Sequence, residues 1–162
     1  DKYGETVTTN GYSTISSTTS TSTANVTALQ SALSSTGYYN GTLDGDYGTV
    51  TVEAVKSFQK AQGLRVTGVA GPTTQRLLYK GTSASGTYTK LQSGSTGTAV
   101  KNLQYTLYEL MYYDGNITGT YDTATENAVK LFQEVNGLDM DGVAGQQTQQ
   151  LLYSSNAKPC DI

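Results

Sequence analysis

Six tyrosines and one aspartate sit in glycine-rich stretches where polar-ligand chemistry is possible. They are Tyr38, Tyr39, Asp44 and Tyr47, then Tyr112, Tyr113 and Tyr121, each later tyrosine 74 positions after its counterpart. A tyrosine offers a flat apolar face for stacking on a sugar ring and a hydroxyl that bonds the sugar's own. The competing role is packing, because a small domain needs aromatic area. On that ground Tyr39, Tyr113, Tyr47 and Tyr121 are expected to close the core, and Tyr38 and Tyr112 are the better ligand contacts.

Two other chemistries can be weighed at the same residues. Asp44 and Asp46 are of the type that flanks a scissile bond in glycoside hydrolysis. Their counterparts are Thr118 and Thr120, so the pair exists in one place only, and Asp44-Gly45 has the composition of a turn. Asn40, Thr42, Asp44 and Gly45 also match the first, third, fifth and sixth positions of an EF-hand-like loop, as do Asp114, Asn116, Thr118 and Gly119. The closing bidentate Glu falls at Thr51 or Thr125, which cannot supply it, so no metal is expected. The chain has no His, hence neither the usual Ser/His and Cys/His nucleophile pairs nor the commonest catalytic zinc ligand. Neither catalysis nor a cofactor is expected.

The elements that must position these loops come as an internal repeat. AVKSFQKAQGLRVTGVAG at 54–71 returns as AVKLFQEVNGLDMDGVAG at 128–145, and Gln30 matches Gln104 at the same spacing of 74. Within each copy Val26, Leu29 and Leu33, or Val100, Leu103 and Leu107, predict a first helix; Asn25 is its cap candidate and Gly37 its end. Met111 replaces Gly37 in the second copy, which predicts a different helix end there. A second helix is expected from Thr49 and from Thr123, with Thr123 and Glu126 as a capping box. Its apolar face is Ala54, Val55, Phe58 and Ala61, or Ala128, Val129, Phe132 and Val135, and Gly63 or Gly137 closes it. A third, short helix carries Leu77 and Leu78, or Leu151 and Leu152. Gln30, Gln59, Gln104 and Gln133 each follow a core residue and are expected to hydrogen-bond loop backbone. Lys56 and Lys130 read as a solvated helix face.

The expected fold is therefore all-α: two tandem three-helix domains, each with a long ordered loop between its first two helices. The expected ranges are a Ser/Thr-rich linker at 1–23, repeats at 24–79 and 88–153, a linker at 80–87 and a tail at 154–162. Tyr12-x-x-Ile15 and Tyr88-x-x-Leu91 look like matching anchors ahead of the two repeats. Cys160 lies in the polar tail and has no expected role.

A net charge of −3 with no basic stripe argues against nucleic acid and gives no attraction to anionic lipid. No apolar run approaches the roughly 18 residues of a membrane helix, and no charged-then-apolar leader opens the chain. A single cysteine excludes an internal disulfide.

These residues resemble the peptidoglycan-binding domain family, a three-helix module found beside bacterial and phage cell-wall hydrolases. The motifs are Leu91-x-x-Gly94-Ser95-x-Gly97-x-x-Val100-x-x-Leu103-Gln104, the Tyr-Tyr-x-Gly turn, Asp-Gly-x-Tyr-Gly at 44–48, Ala-Val-x-x-Phe-Gln, Gly-Leu, and Asp-Gly-Val-Ala-Gly at 141–145. The first copy departs by lacking the Gly-Ser-x-Gly lead-in and by carrying Thr67 in place of Asp141; the second carries Thr118 and Asp122 in place of Asp44 and Gly48. Each copy is degenerate at one end, so the two need not bind equally. The resemblance implies a non-catalytic, monomeric anchor that holds a linked hydrolase or surface protein on the bacterial wall, outside the cell, and binds glycan strand or stem peptide. The alternative is a protein-interaction or spacer module with no glycan ligand.

Overall fold

The structure is a computed structural model that describes residues 8–9, 12–13, 15, 23–79, 88–154 and 156–160. Most of the segment expected as the first linker, and all of 80–87, lie outside the described residues.

Among the described residues six helices form two three-helix modules: α1 (Thr23–Ser35), α2 (Thr49–Gln62) and α3 (Pro72–Tyr79), then α4 (Thr98–Glu109), α5 (Thr123–Val135) and α6 (Gln146–Leu152). Each first helix buries its predicted stripe together with the glutamine that follows: Val26, Leu29, Gln30 and Leu33 in α1, and Val100, Leu103, Gln104 and Leu107 in α4. A short antiparallel ladder, β1 (Thr8–Thr9) with β2 (Tyr12–Ser13), precedes module 1. Ile15 is buried and exchanges two backbone hydrogen bonds of 2.8 Å with Ala70, as Leu91 does with Ala144 at 3.0 and 2.8 Å. The aliphatic member of each sequence anchor is thus stitched to the turn before its module's last helix.

Several helix ends differ from the expectations. Helix α1 begins at Thr23, ahead of Asn25, and the Thr27 hydroxyl donates to the Thr23 carbonyl within that first turn. Asp122, not Thr123, caps α5: its carboxylate accepts from the Thr125 N–H at 3.0 Å and the Thr125 hydroxyl at 2.8 Å. A carboxylate one residue earlier reaches the helix-terminal donors directly, leaving Thr123 inside the first turn. Met111 does not build a different helix end. It adopts the left-handed conformation of Gly37, φ 75° against 90°, and the next residue bonds back to Leu107 as Tyr38 does to Leu33. Ala61 is exposed in the last turn of α2, past the edge of the small core.

The two cores meet. Leu64, in the turn after α2, belongs to the module 2 core, and Leu77 of α3 touches both. Between the modules lie Tyr105, Tyr108 and Glu109 of α4 and Arg76 of α3, none more than 5% exposed. Arg65 lays its guanidinium on the Tyr108 ring, 4.4 Å from the centroid, donates to the Tyr108 carbonyl and pairs with Asp114. The first-copy counterparts of Tyr105, Tyr108 and Glu109 are Ser31, Ser34 and Ser35, all exposed. The seam is therefore built where the two copies differ.

Candidate functional site

Four glutamines build the loops that carry the candidate residues. Gln30 is fully buried, donates to Asp44 Oδ1, the Asp46 carbonyl and Thr51 Oγ1 at 3.0–3.1 Å, and accepts from the Gly45 N–H at 3.0 Å. Gln104 does the same for Thr118, the Thr120 carbonyl, Thr125 and the Gly119 N–H, at 2.9–3.3 Å. Gln59 and Gln133 hold the turns that begin at Thr67 and Asp141 through the same atom types. The expectation that these glutamines bond loop backbone holds, and side chains join in.

The four turns share one pattern, Asp or Thr, then Gly, with Thr seven positions after the first residue. In each, the first side chain accepts from the N–H two residues on, at 3.0–3.1 Å, and the glycine has φ between 73° and 81°. A threonine hydroxyl therefore does the work of the aspartate carboxylate, and the departures Thr67 and Thr118 leave the turns intact. The same bonds explain Asp44: the Asp46 N–H and then Gln30 hold its carboxyl below the usual range. Such a carboxylate is an acceptor committed to its turn.

Burial sorts the tyrosines. Tyr39 and Tyr113 are buried and donate to the carbonyls of Thr42 at 2.5 Å and Asn116 at 2.7 Å. Tyr47 and Tyr121 are buried and donate to Gly68 and Gly142 carbonyls at 2.6 Å, with desolvation raising both phenols. Of the first tyrosines, Tyr38 is half-buried, edge-on to Phe58. Tyr112 is 7% exposed and donates to the Lys158 carbonyl at 2.5 Å. Stacking a sugar needs an open ring face, so Tyr38 and exposed Asp44 are what the loops bring to the surface among the seven candidates.

Module 2 spends its equivalent loop on its own chain. Asp114 pairs with Arg65, the Tyr113 carbonyl accepts from the same guanidinium at 3.4 Å, the Tyr112 hydroxyl donates to the Lys158 carbonyl, and Ala157 and Cys160 pack on the module 2 core. Thr51 and Thr125, where a calcium loop needs its closing Glu, are clamp partners of Gln30 and Gln104. Among the described residues no three His, Cys, Asp or Glu side chains group as metal ligands, and no helix is long and apolar enough to cross a membrane.

Comparison with known proteins bears on this architecture directly. A family model described as "Putative peptidoglycan binding domain" matches residues 22–78 and 96–152, one match per module. The chain belongs to the peptidoglycan-binding domain family. Among the relatives of this family member, the N-acetylmuramoyl-L-alanine amidase CwlL of Bacillus licheniformis is 37% identical over 131 residues, covering 67% of this chain and 36% of the relative. The N-acetylmuramoyl-L-alanine amidase CwlM of Mycobacterium tuberculosis is 34% identical over 104 residues, 62% of this chain and 26% of the relative. A spore cortex-lytic enzyme of Bacillus cereus is 39% identical over 79 residues, 46% of this chain and 30% of the relative. The chain thus spans about a third of the length of the first of these. This family member has two features its motifs do not announce: the seam, and the face where the Asn136 amide donates to the Tyr112 hydroxyl at 3.2 Å.

Proposed function

We propose that this chain is a non-catalytic wall anchor that holds a linked protein, a hydrolase first among the possibilities, on bacterial peptidoglycan outside the cell. The observation that carries the reading is the family match to both modules, with all four clamped turns kept. Relatives named as amidases and cortex-lytic enzymes share only a part of their length with it. The committed state of Asp44, with threonine in the same role in module 2, supports a binding rather than a hydrolytic use of the loops.

One observation favours a second reading for module 2 alone. Its loop contacts Arg65 and the tail, which suits a structural partner that fixes module 1 in place.

The test is co-sedimentation of the purified chain with insoluble peptidoglycan, against cellulose and chitin, at low and high salt. A wall-turbidity assay runs in parallel. Selective, salt-resistant pelleting without clearing of the wall is expected. Protein left in the supernatant, or clearing of the suspension, refutes the anchor.

A further inference from the structure

Module 2 grips a segment of its own chain by the backbone. Asn136 Oδ1 accepts the Lys158 N–H at 2.8 Å and the Tyr112 hydroxyl donates to the Lys158 carbonyl at 2.5 Å. Two residues on, the Cys160 N–H donates to the Leu110 carbonyl at 2.8 Å, at the end of α4. Asn136 Nδ2 adds a longer contact to the Lys158 carbonyl, at 3.4 Å. Each of these bonds reads a peptide group of the segment and none reads a side chain. The Lys158 residue is exposed, so this seat admits a long basic side chain in its middle position.

Module 1 carries the same face uncovered. Tyr38 stands edge-on to Phe58 with centroids 5.5 Å apart at 84°, as Tyr112 stands to Phe132 at 5.5 Å and 85°. Thr36 takes the place of Leu110, each followed by a left-handed residue, and Gln62 takes the place of Asn136 with the same amide chemistry. Tyr38 is half-buried and Gln62 exposed, and neither the hydroxyl nor the amide has a hydrogen-bond partner among the described residues. Pro159 passes the end of α2 beside Gly63, while Thr36 and Gln62 stay exposed.

We propose that the Tyr38–Gln62–Thr36 face of module 1 is a binding site for an extended peptide, held through its backbone as module 2 holds residues 157–160. This deepens the wall-anchor reading and rests on it: the ligand class becomes the stem peptide of peptidoglycan, not the glycan strand. The stem's diamino acid fits a seat that admits a long basic side chain. The two modules then differ in use because one seat is filled by the chain itself and the other is open.

The test follows backbone amide shifts of the full chain on titration with a soluble stem tetrapeptide and, separately, an N-acetylglucosamine tetramer. The stem peptide is expected to move residues 36–38 and 62–63, and the sugar to move none of them. Tyr38→Phe keeps the ring against Phe58 and removes only the hydroxyl, and Gln62→Ala alters an exposed residue, so both variants keep the fold. Each is expected to weaken peptide binding about five-fold, the loss of one hydrogen bond. Unchanged shifts at 36–38 and 62, or parental affinity in both variants, overturn the proposal. Equal pelleting with walls stripped of stem peptides, together with silent shifts, leaves the anchor standing and removes this site. Peptide shifts at this face without pelleting keep the site and remove the anchor.

Discussion

Glu109, the last residue of α4, crosses the seam and accepts the backbone N–H of Thr73, in the first turn of α3, at 3.3 Å. Its other carboxylate oxygen has no hydrogen-bond partner among the described residues. Burial is the main cause that pushes this carboxyl up to about 7, against the opposing pull of Arg76 and the Thr73 N–H. An acceptor at a helix N-terminus is favourable, yet here the same placement removes the group from water.

A pH dependence follows. Any state that exposes Glu109 ionises near its ordinary value, so the closed seam binds the extra proton between about pH 4.5 and 7. Stability should be full below that window, fall as pH rises through it and level off above, by up to about 3 kcal/mol. Asp44, Asp122 and Asp141 have lowered values and act in the opposite sense, losing stability only in more acidic solution. Denaturant midpoints at pH 5 and pH 8 should show the wild type more stable at pH 5, and Glu109→Gln should remove most of that difference.

Gly71 sits where a Cβ would collide with Glu109 Oε2 and approach Tyr105 to 2.9 Å; its counterpart Gly145 has nothing within 4 Å. Gly71→Ala should therefore open the seam at a cost of about 1–3 kcal/mol, whereas Gly145→Ala should stay within about 0.5 kcal/mol. Small-angle scattering should show a larger radius of gyration for the first variant only. Equal behaviour of the two would remove the seam as a packing constraint.

Gln104 is fully buried and serves donors and acceptors of one turn at once. Gln104→Leu strands several of them, so a loss of about 3 kcal/mol or more is expected, confined at first to module 2. Hydrogen exchange should report it as deprotection of Thr118 and Gly119 ahead of α1. Protection that persists there would mean that the turn holds without its clamp.

Met111 is the non-glycine residue with positive φ among the described residues, and its side chain is 42% exposed. Met111→Gly should stabilise the chain by about 0.5–1 kcal/mol, since the left-handed strain relieved exceeds the added chain entropy. Gly37→Ala should cost about 1 kcal/mol for the converse reason, with open space around the new methyl. Thermal melts of the two variants should shift in opposite directions.

The amino-acid sequence by itself determined the repeat, the six helices and the family, because apolar residues at helical spacing and glycines at turns act locally. It also marked the tyrosines and glutamines, whose counterparts recur 74 positions on. The clamp pattern that recurs four times was there to be read as well, with Asp and Thr interchangeable, but a hydroxyl and a carboxylate look unlike until both are seen accepting the same N–H. What only the tertiary structure decided is which loop stays open. Arg65, Arg76 and Glu109 are residue types that read as surface; only docking of the modules buries Arg76 and Glu109 together with Tyr105 and Tyr108 and sets Arg65 over Tyr108. The replacement of Ser31, Ser34 and Ser35 by Tyr105, Tyr108 and Glu109 hinted at a difference between the copies. The partner of that difference lies tens of residues away in the chain, where no local pattern reaches. Packing alone brings Glu109 to Thr73 and residues 157–160 to Tyr112, filling one face and leaving its twin beside Tyr38 exposed.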